Sequence, residues 1–202
     1  VLKMQKEEAD VAFAKFVRKN YMSWMGNPDR RPMMSNDLFR KRVFPLLDKG
    51  EKVFMIVFDN LRYDQWRMLY REIAGIFSSD EELYFSILPT ATQYARNAIF
   101  AGLMPLQIEE IFPGLWVDES ENEGKNLKEN ELIATQLARF RRKNSFSYSK
   151  VNDSQAADRL LAQFSQLERN DLNVLVVNFI DILSHARTEQ KTVRELAADE
   201  AA

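Results

Sequence analysis

The hydrophobic pattern changes period near residue 52. Before it, apolar residues recur every three or four positions: Met4, Val11, Phe13, Phe16, Val17 and Tyr21 stand at helical spacings among charges. Residues 3–25 are therefore predicted as one amphipathic helix, ended by Gly26-Asn27-Pro28. After the basic connection Arg30-Arg31-Pro32, Ser35 or Asn36 can cap a second helix carrying Leu38, Val43, Leu46 and Leu47, closing at Gly50 and kinked by Pro45. From Val53 to Phe58 the residues are continuously apolar, rich in β-branched and aromatic types, as in a parallel strand buried on both faces. A helix over 62–77, a strand over 83–88, a helix over 92–101, a surface loop over 118–130 and a helix over 131–143 are predicted next. A strand over 146–151, a helix capped at Asp153 and running to 166, and a strand over 174–179 complete the alternation. Strands alternating with helices predict an α/β fold, a largely parallel sheet flanked by helices with right-handed crossovers, preceded by a helical segment over 1–50.

Composition narrows the chemistry. Of 202 residues, 46% are hydrophobic and 29% charged, enough for a core of one domain. With 28 Lys and Arg against 30 Asp and Glu, the net charge of −2 lacks the footprint of a dedicated nucleic-acid scaffold. The absence of cysteine excludes disulfides, zinc fingers, cysteine nucleophiles and iron–sulfur sites. The single histidine, His185, must carry any imidazole chemistry. The start has no secretory apolar segment, and no apolar run reaches the length of a membrane span, so a cytoplasmic location without membrane insertion is expected. An opening residue other than Met, and a helix-forming end without a stop signal, lead to the expectation of a piece cut at both ends.

In open parallel sheets the binding crevice lies beyond the carboxyl ends of the strands. Three such ends carry reactive side chains: Asp59; Thr90-Ala91-Thr92 with Arg96 a turn later; and Asp181-Ile182-Leu183-Ser184-His185. Singly, each has an ordinary explanation. Asp59 and the threonines suit turns or helix caps. Asp181 and His185, four apart, suit either a shared metal or a surface hydrogen bond. Together they match parts of a two-metal phosphoester site, where hard carboxylates and imidazoles hold divalent cations and a metal-bound hydroxyl attacks phosphorus to give a phosphoryl-enzyme.

The order of these residues resembles the alkaline phosphatase superfamily. Thr92-Gln93-Tyr94-Ala95-Arg96 running on to Gly102-Leu103-Met104-Pro105 is similar to the stretch after the nucleophile in its sulfatase and nucleotide-phosphodiesterase branches. Tyr94 departs from the proline that sulfatases have there. Phe58-Asp59-Asn60-Leu61-Arg62-Tyr63-Asp64 with Leu88-Pro89-Thr90-Ala91-Thr92-Gln93-Tyr94-Ala95-Arg96-Asn97 is closer to the PglZ domain, as found in PorX-type response regulators of the type IX secretion system. The resemblance implies a helical linker over 1–50 and a partial PglZ domain over 51–202. It further implies a zinc-dependent phosphodiesterase or phosphatase with Thr92 as nucleophile and Thr90 as the competing choice. One zinc would be held by Asp59 and Thr92 and a second by Asp181 and His185, while Arg96 supports the phosphate or the nucleophile's helix. A nucleotide or oligonucleotide phosphodiester, a signalling partner protein and a homodimer formed through the helices before residue 50 belong to the same implication.

The family also has a further Asp-His pair and a last His downstream, and no histidine follows His185. Truncation is the preferred reading over degeneration, and the chain by itself is expected to bind zinc weakly and to lack turnover. Two other readings compete. One is a non-catalytic module that docks a partner through Tyr21-Met22-Ser23-Trp24-Met25 and Met33-Met34, against the simpler reading of that stripe as internal packing. The other is a nucleic-acid contact through Arg30-Arg31 and Arg40-Lys41-Arg42, against a solvated helix face.

Overall fold

Three runs of β-forming residues pair into one parallel sheet in a computed structural model that describes residues 2–116 and 127–189. Strand β1 (Val53–Phe58), β2 (Phe146–Val151) and β3 (Leu172–Val177) lie in the order β1-β3-β2, so the most buried strand is central. Val53 pairs with Leu172 and Phe146 with the same residue from the other side, which brings all three carboxyl ends to one edge. The helices, in chain order, are α1 (Leu2–Gly26), α2 (Phe44–Asp48), α3 (Tyr63–Ile73), α4 (Thr92–Ala101), α5 (Pro105–Ile111), α6 (Glu129–Arg139), α7 (Ser154–Ala162), α8 (Phe164–Leu167) and α9 (Phe179–Glu189). This is the α/β architecture expected from the alternation, with a long helix in front.

One face of the sheet builds the core. Val53, Leu172, Val174 and Val176 meet Ile99 and Phe100 of α4 and Leu132, Ile133 and Leu137 of α6, with Phe39, Val43, Phe44 and Leu47 closing the side. Burying such side chains contributes about 1.5–3 kcal/mol each. Pro45 acts as predicted: it lacks the N–H that would continue the helix, and the chain before it takes a π-helical turn at Phe39–Val43 before α2 resumes.

Two strand predictions are corrected. β1 is not buried on both faces, because it is an edge strand whose Phe54, Ile56 and Phe58 point to an open face, Ile56 being 50% exposed. α8 reaches that face near β1, stacking Phe164 on Phe54. Residues 83–88 form no sheet strand. Phe85 makes an isolated bridge with Met34, and its alternating apolar residues Phe85 and Ile87 pack with Trp24, Met34 and Ala98 in a satellite cluster at the end of α1. The aromatic partners nearby outcompete the sheet edge. That cluster also answers the docking stripe: Trp24 and Met34 are internal, while Met22 stays exposed.

Four residues of the basic runs meet acids: Arg31 pairs with buried Asp37 at 3.1 Å, Arg40 and Lys41 lie near the same carboxylate, and Arg42 pairs with Glu82. α6 begins at Glu129, two residues earlier than predicted, so the loop ends sooner; its residues 118–126 lie outside the described residues. The third strand also ends earlier, at Val177, leaving Asn178 in the turn. Among the described residues no helix is long and apolar enough to cross a membrane.

Candidate active site

The parallel register sets Asp59 and Asn178 side by side at the sheet's carboxyl edge: the Asp59 N–H donates to Val177 O at 3.0 Å and the Asn178 N–H to Val151 O at 3.0 Å. Asn178 Nδ2 also donates to Asn152 Oδ1 at 3.0 Å, joining the ends of β2 and β3. α4 points its N-terminus at the same edge. Its residues Arg96, Asn97, Ala98, Ile99, Phe100 and Ala101 are buried, and it stops at Gly102, whose positive φ of 61° and N–H to Ala98 O bond close the helix.

From α4, Arg96 reaches into the crevice floor. Its Nη1 donates to Asp59 Oδ2 at 2.7 Å and to Asn178 Oδ1 at 3.0 Å, while its Nε donates to Glu129 Oε1. Glu129 is fully buried, and its other oxygen accepts from the Tyr148 hydroxyl and lies 3.0 Å from Lys150 Nζ. Two acids and two bases thus neutralise one another beneath the edge, which is what makes burying Glu129 tolerable. Burial and the Glu129 charge push the Tyr148 hydroxyl far up, so it remains a donor.

Asp59 has a different environment. Burial raises its carboxyl above the ordinary range, Arg96 opposes that, and the charges of Asp181 and Glu129 add to it. Asp181 follows three residues after Asn178, the partner of Arg96. It sits in the first turn of α9, where its Oδ1 lies 3.5 Å from His185 Nε2, and the His185 side chain is 70% exposed. Thr92 opens α4, half-buried, on the face that carries Arg96 one turn later. Thr90 is exposed and lines a separate apolar groove of about 390 Å³ with Phe13, Tyr21, Phe85 and Leu88.

Of the residues singled out from sequence, Asp59 and Arg96 pair at the sheet edge, Asp181 and His185 lie near each other on α9, and Thr92 opens α4, the helix that carries Arg96. Glu129, Tyr148, Lys150 and Asn178 were not anticipated. Glu129 had a signal: the buried positions of α6, Leu132, Ile133, Gln136 and Leu137, project back by three to residue 129. Asn178 hid inside an apolar run that reads as strand through Phe179.

The arrangement does not itself make a zinc cage. Among the described residues no three His, Asp or Glu side chains converge to hold a metal ion, and one Asp59 oxygen is held by Arg96. Two protein ligands for each of two ions are too few for a closed site.

Over residues 38–202 the chain matches a family model described as the BREX system PglZ alkaline phosphatase-like domain. Residues 1–25 match the PorX response regulator linker domain. No curated protein matches the chain.

Proposed function

The chain belongs to the PglZ alkaline phosphatase-like domain family, and from that premise we propose that it is the phosphoester-cleaving part of a response regulator, with Thr92 as nucleophile. The superfamily is generally metal-dependent, and the matching linker ties this hydrolase-like domain to a response regulator. The observation that carries the reading is the contact of Arg96, from the helix that Thr92 opens, with Asp59 and Asn178 at the carboxyl ends of β1 and β3. Thr92 Oγ attacks phosphorus; the threonine–phosphorus bond forms as the ester bond breaks, and the alcohol leaves with a proton. Water then cleaves the phosphothreonine and restores the hydroxyl. Backbone N–H groups of the first turn of α4 face the phosphoryl oxygens, where a helix N-terminus favours negative charge. Arg96 is buried among Asp59, Asn178 and Glu129, so its part is to hold the nucleophile's helix to the edge rather than to meet the phosphate.

The zinc ions of this reading would draw on Asp59 and Thr92 for one and Asp181 and His185 for the other, with ligands beyond these four needed to retain them. The substrate is a phosphodiester of the nucleotide or oligonucleotide class. Control of type IX secretion from the cytoplasm, a signalling partner and a homodimer through the helices before residue 50 complete the proposal, supported by the linker match. The test is hydrolysis of bis-p-nitrophenyl phosphate by the full-length protein with zinc. Loss of turnover in Thr92→Val, with Thr90→Val unaffected, supports the assignment. Loss in Thr90→Val alone moves the nucleophile, and a zinc-loaded protein without turnover leaves the non-catalytic docking module as the better reading.

A further inference from the structure

Glu129 is the most buried charged group of the molecule's interior network, and no step of the proposed chemistry uses it. It takes the Nε edge of Arg96, while Tyr148 donates to its second oxygen and Lys150 lies 3.0 Å away. Arg96 meets Asp59 with the other end of the same planar group, through Nη1. A guanidinium is rigid, so fixing its Nε edge fixes the direction of its Nη1 donor. We infer that Glu129 is a positioning residue that orients Asp59 at the crevice through Arg96. This inference rests on the phosphoester reading of the site for its catalytic consequence, but not for the relay itself.

The relay makes a distinction that a structural counter-charge does not. Glu129 and Lys150 carry opposite charges in contact, so Glu129→Leu combined with Lys150→Met removes both charges and leaves Arg96 balanced by Asp59. The pair variant keeps the buried charge sum and removes the acceptor of Arg96 Nε, together with that of the Tyr148 hydroxyl. The experiment is carbon NMR of the full-length protein labelled with carboxyl-[13C]aspartate, the Asp59 resonance being assigned by its loss in Asp59→Asn, together with steady-state hydrolysis of bis-p-nitrophenyl phosphate.

The expected result is a moved Asp59 resonance in Glu129→Leu/Lys150→Met and about a tenfold lower kcat, with KM within about twofold. Lys150→Met alone, which leaves Glu129 on Arg96, should leave the resonance in place. Arg96→Lys, which keeps the charge but has no fork to hold both acids, should move it as the pair variant does, and serves where the pair variant does not fold. An unmoved resonance in the pair variant, or an equal movement in Lys150→Met alone, overturns the inference. If the resonance moves as expected while Thr92→Val keeps full turnover, the relay stands and the nucleophile assignment falls.

Discussion

At the scale of single residues, buried charge decides what the site tolerates. Arg96 faces Glu129, Asp59 and Asn178 at once, and Arg96→Met would leave the fully buried Glu129 with only Tyr148 and Lys150. The expected cost is about 3–5 kcal/mol in denaturant unfolding. A cost below about 1 kcal/mol would mean that the network relaxes freely. Asp171 offers a pH test away from the crevice. Its Oδ2 accepts from the Ser145 N–H at 2.9 Å, tying the start of β3 to the start of β2, and that backbone bond holds its carboxyl below the ordinary 3.8. A lowered folded value means the stabilisation is full above the unfolded value and is lost as pH falls through the folded one. Asp171→Asn should therefore lower Tm at pH 7, and the gap to the parent should shrink as the pH is taken below about 4. A gap that is constant with pH would contradict the ionised contact.

At the scale of elements, α4 is both the best-read segment and the most constrained. Its bounds, Thr92–Ala101, follow from the breaker Pro89 before it and Gly102 after it, and β2 was equally legible because polar turns flank a short β-rich run. Residues 83–88 had the same local character and went elsewhere, because Phe85 and Ile87 found Trp24 and Met34, which no local pattern announces. The candidate site divides in the same way. Asp59, Thr92, Asp181 and His185 could be picked out because strand ends mark the crevice, whereas Glu129 and Tyr148 come from other elements and enter only through packing. Gly102 tests the end of α4 directly. It combines a φ of 61° with a neighbour that leaves no room, since an added Cβ would lie 2.1 Å from Gln136 Nε2. Gly102→Ala should cost more than Gly50→Ala, where φ is 77° but nothing lies within 4 Å. The expected losses are about 2–4 kcal/mol against about 1 kcal/mol. Equal losses would show that α6 yields to the methyl group.

At the scale of the whole molecule, the proposed function asks the sheet edge to supply one side of a phosphoester site, and the histidine count bears on its metal chemistry. A chain with a single histidine and no cysteine has few metal ligands beyond its carboxylates. Calorimetric titration of this chain with zinc should give a Kd weaker than about 1 μM, that is, less than about 8 kcal/mol of binding. Tight uptake of two ions would show that these residues close a cage that the described geometry does not contain. The face opposite the core is covered at β3, where Asn173 and Leu175 are buried, and open at β1, where Phe54, Ile56 and Phe58 are exposed. The proposed nucleophile is Thr92, at the head of α4. Its most direct test is the turnover of bis-p-nitrophenyl phosphate by zinc-loaded full-length protein carrying Thr92→Val. A fall in kcat of at least about a thousandfold, in a protein whose unfolding midpoint is unchanged, is the predicted result; wild-type turnover in that variant would contradict it.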